Sequence, residues 1–131
     1  MKTLTLKSLG MVISSLFLGF SIQAQAANGD VIASGNFKGT NGHVTKGDIM
    51  VVEMNGGHVI KLGENFSLDG APDPSVAFVA NGKNPVIISA LKSNKGAQTY
   101  AVPDDLDPSD YDKFYIWCDQ YSVSLGETKL K

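Results

Sequence analysis

The sequence contains no arginine. All 11 of its basic residues are lysines, and 13 acidic residues oppose them, which gives a net charge of −2. Because phosphate recognition normally relies on arginine forks or clustered basic side chains, this composition argues against nucleic-acid binding. It also disfavours attraction to an anionic membrane surface.

Cysteine is nearly absent, since Cys118 is the only one in the chain. A single cysteine forms no disulfide within the chain, so packing must supply the stability. A structural zinc site is also disfavoured, because such sites normally use four protein ligands and the sequence has no paired-cysteine motif.

The chain also lacks an apolar run long enough to span a bilayer. The short apolar segment Met11–Phe20 follows Lys2 and Lys7, and Ala24-Gln25-Ala26 then provides the small-x-small pattern of a signal-peptidase site. We therefore predict a cleaved secretory signal peptide at residues 1–26 and a single domain at residues 27–131. The mature protein is expected to be periplasmic or secreted, with no membrane span after cleavage.

Beyond that leader, no window shows a sustained 3.6-residue apolar period. Instead, glycine and asparagine separate short runs rich in Val, Ile, Phe and Tyr, a pattern typical of an antiparallel β-sandwich or barrel-like domain. We predict an all-β fold with at most one short helical turn at Asp107–Tyr111. Asp107 is the expected N-cap, and Pro108 is expected at the first helical position.

The clearest local prediction is a β-hairpin formed by Ile49–Met54 and His58–Leu62, because the intervening Asn55-Gly56-Gly57 favours a primed turn. Gly70–Pro74 predicts a rigid turn. Further strands are predicted at Val31–Phe37, His43–Met50, Val76–Ala80, Val86–Leu91, Thr99–Val102, Lys113–Cys118 and Tyr121–Leu125. The predicted core comprises Phe37, Phe66, Phe78, Phe114, Ile116 and Val123.

In the strand Lys113–Cys118, alternation places Phe114, Ile116 and Cys118 on one face and Tyr115 and Trp117 on the other. Cys118 is then expected to point inward. One interpretation is that it packs as a small hydrophobic residue. The other is a redox or metal-binding thiol, which requires partial exposure and a lowered pKa.

Copper is a candidate metal because the chain beyond the leader holds blue-copper ligand types in Cys118, His43, His58, Met50 and Met54. A cupredoxin site is disfavoured, since no His or Met follows Cys118. A looser metal site from His43, His58 and Cys118 remains an alternative. The sequence specifies no cofactor: none, copper and a contact with haem all stay open.

Catalytic motifs are not evident. No serine lies in a Gly-x-Ser-x-Gly elbow, and no glycine-rich phosphate loop follows a strand and opens a helix. The acidic run Asp104–Asp112 lacks the ordered frame of a calcium loop and is interpreted as a solvated turn. We therefore expect a non-enzymatic protein.

Several blocks, taken in order, resemble the DM-thirteen domain family, which occurs beside DOMON domains in Skeletor-type proteins and alone in bacterial exported proteins. His43–Gly47 is similar to its His-x-Val-Ser-Gly element, and Asn65–Asp73 to its Phe-x-x-Asp-Gly-x-x-Pro-Asp element. The most specific block is Ile116–Gly126, which resembles Val-Trp-Cys-x-x-Phe-x-Val-x-Phe-Gly. Gly35–Phe37 and Tyr100–Pro103 complete the match.

This resemblance implies an all-β domain with an electron-transfer role and with Cys118 as the redox residue, supported by its neighbours Trp117 and Asp119. We accordingly expect an exported, non-enzymatic redox module that acts on an unknown partner protein. The alternative is an extracytoplasmic binding module for a protein, glycan or small ligand, with Cys118 serving only as core packing.

Overall fold

The computed structural model describes residues 29–131, so the predicted signal peptide lies outside the described residues. The described chain is built from short strands joined by tight turns, as the glycine and asparagine spacing predicts. In chain order the strands are β1 (Asp30–Asn36), β2 (Lys38–Gly39), β3 (Thr45–Lys46), β4 (Asp48–Met54), β5 (Gly57–Leu62), β6 (Ser67–Leu68), β7 (Pro74–Val79), β8 (Val86–Ala90), β9 (Gln98–Ala101), β10 (Lys113–Cys118) and β11 (Val123–Lys129).

The strands form two main sheets and a small one. A four-stranded sheet has the order β1-β4-β5-β9, a five-stranded sheet has the order β2-β11-β10-β7-β8, and β3 pairs with β6. Inward-facing residues of both main sheets, such as Ile60 and Phe114, belong to one buried cluster. The architecture is therefore an all-β sandwich, as predicted, and its described sheets do not close into a barrel.

One stretch of chain joins the two main sheets. β1 lies at the edge of the four-stranded sheet, and β2, which follows after a single residue, lies at the edge of the five-stranded sheet. That single residue is Phe37, which is buried and makes edge-to-face contacts with Phe66 and Phe114, with ring centroids 5.8 Å and 6.3 Å away. The corner thus carries an aromatic ring into the core.

The hairpin prediction is confirmed with a one-residue correction. Asn55 and Gly56 have φ values of 54° and 78°, as a type I′ turn requires, whereas Gly57 already pairs with Met54 as the first residue of β5. The predicted strand His43–Met50 is instead divided between β3 and β4. Gly47 breaks it with φ 113°, and a Cβ there would lie 2.5 Å from the Phe66 Cα.

Strand ends in the five-stranded sheet differ most from prediction at β7 and β11, whereas β8 ends one residue earlier than predicted, at Ala90. Pro74 belongs to β7 rather than to a preceding turn, which is a position where its missing N–H is tolerated. The last strand, predicted at Tyr121–Leu125, begins at Val123 and continues to Lys129, because Ser122 turns the chain with φ 54°. β10 has the predicted limits.

Five of the six predicted core residues are buried: Phe37, Phe66, Phe78, Phe114 and Ile116. Val123 is only half-buried, since it is the first residue of β11 and borders an exposed turn. The predicted helical turn is a 3₁₀ turn at Pro108–Asp110, and the Asp107 side chain caps it by accepting from the Ser109 N–H. Within residues 29–131, no helix is long and apolar enough to cross a membrane.

Candidate functional site

Cys118 is the final residue of β10, in the middle of the five-stranded sheet. It is only 1% exposed and lies in the core cluster with Phe114 and Ile116, as strand alternation predicts. Its backbone neighbours across the sheet are Val123 of β11 and Pro74 of β7. The thiol is therefore covered in this conformation, although the next residue along the chain is exposed.

An exposed turn separates Cys118 from β11. The turn spans residues 119–122, and Tyr121 within it is 63% exposed. Asp119 is fixed at its start, because the Asp119 N–H donates to the Asp73 carbonyl at 3.1 Å and the Ser75 hydroxyl lies 3.4 Å from its carboxylate. The hydrogen bonds of Asp119 therefore anchor the end of β10 and do not involve the sulfur.

Trp117 and Tyr115 lie on the opposite face of β10 from Cys118. Both are half-buried, and their rings are nearly parallel, with an interplanar angle of 14° and centroids 6.0 Å apart. The supporting role predicted for Trp117 therefore does not come from side-chain contact on the thiol's own face. The sequence does not predict the stacked arrangement, although residues i and i+2 of a strand always share a face.

A bulge in β11 shapes the core beside Cys118. Ile116 pairs with Gly126 and Trp117 with Ser124, so Leu125 is an extra residue in β11. In a regular strand, residues three positions apart face opposite sides, but the extra residue lets both Leu125 and Thr128 be buried. A bulge is a usual way to re-aim side chains beside a site.

The structure brings together two separated blocks through His43 and Asp69. The His43 Nδ1 lies 2.9 Å from the Asp69 Oδ1, and the Asp69 N–H donates to the Val44 carbonyl at 3.1 Å. The hydrogen bond from His43 holds the pKa of the Asp69 carboxyl below its ordinary value, and the backbone of Val44 adds to the effect. Asp69 is not identifiable as a site residue from the sequence, because nothing in its local pattern shows that it pairs with a residue 26 positions earlier.

His58 lies in β5 close to the hairpin turn, directly opposite Glu53 of β4. The His58 Nε2 is 3.9 Å from the Glu53 Oε2. Both residues line an open cleft of about 640 Å³, and Asp104, Asp105 and Asp107 line the same cleft. The acidic run identified in the sequence thus forms a solvated wall, as expected for a turn.

The predicted metal ligands are distributed over three separate environments: His43 beside Asp69, His58 beside Glu53, and Cys118 in the core. In the described part of the chain, no group of three or more His, Cys, Asp or Glu side chains is placed to hold a metal ion. The structure therefore does not assemble a site from His43, His58 and Cys118.

Comparison with known proteins identifies one family. A family model described as "Electron transfer DM13" matches residues 36–130. The matched range includes His43, Asp69 and the whole of β10 with Cys118. No curated protein and no solved structure matches the chain.

Proposed function

Because the chain belongs to the electron transfer DM13 family, we propose that it is an exported, non-enzymatic redox module in which Cys118 is the redox residue. The observation that carries this proposal is the position of Cys118 at the last residue of β10, one residue before an exposed turn. The thiol is covered in the core, and yet it lies at the end of a β-ladder, where local opening costs least.

The chain has a single thiol, that of Cys118, so partner proteins must supply the other sulfur atoms of a thiol–disulfide exchange. In the proposed step, the Cys118 thiolate attacks a disulfide of the partner protein and forms a mixed disulfide. One partner sulfur leaves as a thiolate, and the proton of Cys118 passes to solvent. A dithiol of a second partner protein then attacks the Cys118 sulfur with one of its thiolates, which releases the first partner with both of its sulfurs reduced. The other thiol of the second partner attacks the sulfur that its own protein has joined to Cys118, which restores Cys118 as a thiolate and leaves the second partner with a disulfide. The net result is the transfer of two electrons from the dithiol of the second partner to the disulfide of the first.

Burial determines how this step must proceed. A thiol that is 1% exposed cannot reach a disulfide without movement of the chain. The pair Cys118–Val123 is the last pair of the β10–β11 ladder, and Val123 is half-buried. We infer that the end of β10 opens locally: the pair Cys118–Val123, the hydrogen bond from the Asp119 N–H to the Asp73 carbonyl and turn 119–122 release together, which exposes the sulfur while the rest of the sheet stays folded.

Thiol labelling tests this inference. Folded protein under native conditions should react with a thiol reagent faster than it unfolds globally, and the labelling rate should depend only weakly on denaturant concentration. The matched control is Ile116→Cys in a Cys118→Ala background, which places the only thiol two residues further from the turn on the same buried face. That thiol should react at the global unfolding rate.

A binding module is the second candidate, and the observation that favours it is the membership of Cys118 in the apolar core. In that case the sulfur only fills space, and the open cleft beside His58 is the candidate surface for a ligand. Equal labelling rates for the thiols at positions 118 and 116, both set by global unfolding, would reject the redox proposal and favour this alternative.

Export is part of the proposal and rests on Lys2, Lys7, the apolar segment Met11–Phe20 and Ala24-Gln25-Ala26. N-terminal sequencing of the protein from its native source should find Ala27 as the first residue, and osmotic shock or the medium should release it. Abundant protein that retains Met1 would contradict export by this signal.

A further inference from the structure

The outer face of the five-stranded sheet carries an aromatic pair that thiol chemistry does not use. Tyr115 and Trp117 are stacked with ring centroids 6.0 Å apart, on the central strand of that sheet. Both rings are half-buried, so solvent and a docked partner reach them without any opening of the fold. Within residues 29–131, Tyr115 is the only aromatic ring that pairs with Trp117.

Indole and phenol rings are the side chains that most readily lose a single electron, apart from a thiolate. Electron tunnelling falls steeply with distance, so two rings in near contact exchange an electron much faster than rings on opposite sides of a domain. The buried Cys118 lacks this accessibility, whereas the stacked rings have it. The pair therefore meets the geometric requirements for one-electron transfer at the surface.

We propose that Tyr115 and Trp117 form a one-electron relay on this face, and that its co-reactant is a high-potential one-electron oxidant such as an oxidised metal centre of a partner protein. The relay deepens the proposed electron-transfer function and rests on it. It differs from the thiol step because it needs neither contact with sulfur nor movement of turn 119–122.

The relay is a balanced sequence of two transfers. Trp117 gives one electron to the oxidant, which is reduced by one electron, and the indole N–H proton passes to water. Tyr115 then gives one electron to the Trp117 radical, which regains a proton from water, while the phenol proton of Tyr115 leaves. The net products are the reduced oxidant, a Tyr115 radical and one proton. One electron and one proton from a reductant such as ascorbate restore the phenol.

A carboxylate residue on the neighbouring strand shares the outer face with Tyr115. Glu127 of β11 is its direct cross-strand partner, and such partners share a face. The Glu127 carboxylate lies 3.6 Å from the Lys38 Nζ and is partly exposed. The structure thus places an indole, a phenol and a carboxylate in sequence on one surface.

The other tyrosines are placed differently. Tyr100 is 3% exposed, and its hydroxyl accepts from the Lys92 N–H at 2.8 Å and donates to Gln98. Burial raises the pKa of Tyr100. Tyr111 packs on Phe78, a ring that is hard to oxidise. Tyr121 is exposed on the turn and stacks on no aromatic ring of the described chain, which makes it the matched control.

Flash photolysis with a photogenerated ruthenium(III) polypyridyl oxidant tests the relay. The single tryptophan makes the tryptophyl radical signal unambiguous. In the unaltered protein, this signal should decay as the tyrosyl radical signal rises, at a rate independent of protein concentration. Tyr115→Phe should abolish the coupled tyrosyl rise and prolong the tryptophyl radical, whereas Tyr121→Phe should leave both signals unchanged.

Three outcomes would overturn the relay: a tyrosyl rise that persists in Tyr115→Phe, a rate that scales with protein concentration, or an unaltered tyrosyl rise in Trp117→Phe. Tyr115→Phe and Trp117→Phe test the same electron transfer independently. Circular dichroism checks that each variant is folded, and if one misfolds, the other still decides the test. The readout does not involve sulfur. Failure here with normal labelling of Cys118 would reject the relay alone, and failed labelling with a normal relay would reject the thiol step alone.

Discussion

Thr45 and Leu125, 80 residues apart in the chain, are joined by a buried hydrogen bond from the Thr45 hydroxyl to the Leu125 carbonyl oxygen at 2.8 Å. The contact leaves no room for a side chain at the next residue. A Cβ at Gly126 would lie 2.6–2.9 Å from Thr45 side-chain atoms. The bulge in β11 and the small sheet at β3 are therefore fitted to each other at this point.

Gly126→Ala should consequently destabilise the protein, because the added methyl group overlaps Thr45 and overpacking costs typically about 1–3 kcal/mol. Gly57→Ala is the matched control, since Gly57 lies in a strand without a positive φ, and a Cβ there would have no heavy atom within 4 Å. Urea denaturation should show a loss for the first variant and little change or a gain for the second. Equal midpoints for the two variants would contradict the close fit of Gly126 against Thr45.

Phe114→Ala should cost about 3–5 kcal/mol of unfolding free energy, as is usual for a buried phenylalanine. Phe114 is fully buried and makes an edge-to-face contact with Phe78, with ring centroids 5.1 Å apart. Tyr121→Ala, on the exposed turn, should stay within about 0.5 kcal/mol. Chemical denaturation of the two variants checks both values, and unchanged stability in Phe114→Ala would mean that the faces of β10 are assigned the wrong way round.

Cys118→Ser should lower the free energy of unfolding by about 1–3 kcal/mol, because it buries a hydroxyl in an apolar site. Cys118→Ala removes the sulfur without adding a polar group, so it should lose less. A thermal melt or urea titration compares the pair. A serine variant as stable as the unaltered protein would show that the site is wetter than the 1% exposure of Cys118 indicates.

Stability should depend on pH through Asp69. Its pKa is lowered in the folded state by the hydrogen bond from His43, so this group stabilises the fold above its unfolded pKa of about 3.9. That contribution is lost as the pH falls through the lower, folded pKa. The melting temperature of Asp69→Asn should therefore be below that of the unaltered protein at neutral pH and converge with it in acid.

Asp107→Asn serves as a comparison for the pH dependence of the melting temperature. The pKa of Asp107 is also lowered, by hydrogen bonds from the backbone and hydroxyl of Ser109, so it should show the same direction of change without involving His43. In a His43→Ala background, Asp69→Asn should lower the melting temperature at neutral pH much less than it does in the unaltered protein. The decrease caused by Asp107→Asn should stay the same. Additive effects of His43→Ala and Asp69→Asn would instead show that the pair is not coupled.

The local sequence pattern is enough to predict a strand whose limits are set by its own alternation of apolar and other residues. The limits of β10 and the inward face of Cys118 follow from Phe114, Ile116 and the intervening aromatic residues, and the type I′ hairpin follows from Asn55-Gly56. These features depend on residues within a few positions of each other. They required no knowledge of the rest of the fold.

Features set by distant contacts were not predictable in the same way. The break at Gly47 reflects the close approach of the Phe66 backbone, and the pairing of His43 with Asp69 joins two loops. The late start of β11 depends on Ser122 adopting a positive φ, which is uncommon for a non-glycine residue. The reactivity of Cys118 belongs to the same class, because it depends on how readily the surrounding structure opens.

Phe37 connects β1 in one sheet to β2 in the other, and both of these strands are hydrogen-bonded to the C-terminal part of the described chain. β2 pairs with β11, and Ser34 and Lys131 exchange two backbone hydrogen bonds of 3.0 Å. A nascent chain that has not yet released β11 from the ribosome therefore leaves both β2 and β10 with open edges, which invite pairing with other chains. Completion of the sandwich must await β11, so the interval before β11 emerges is the period in which this protein most needs protection by a chaperone.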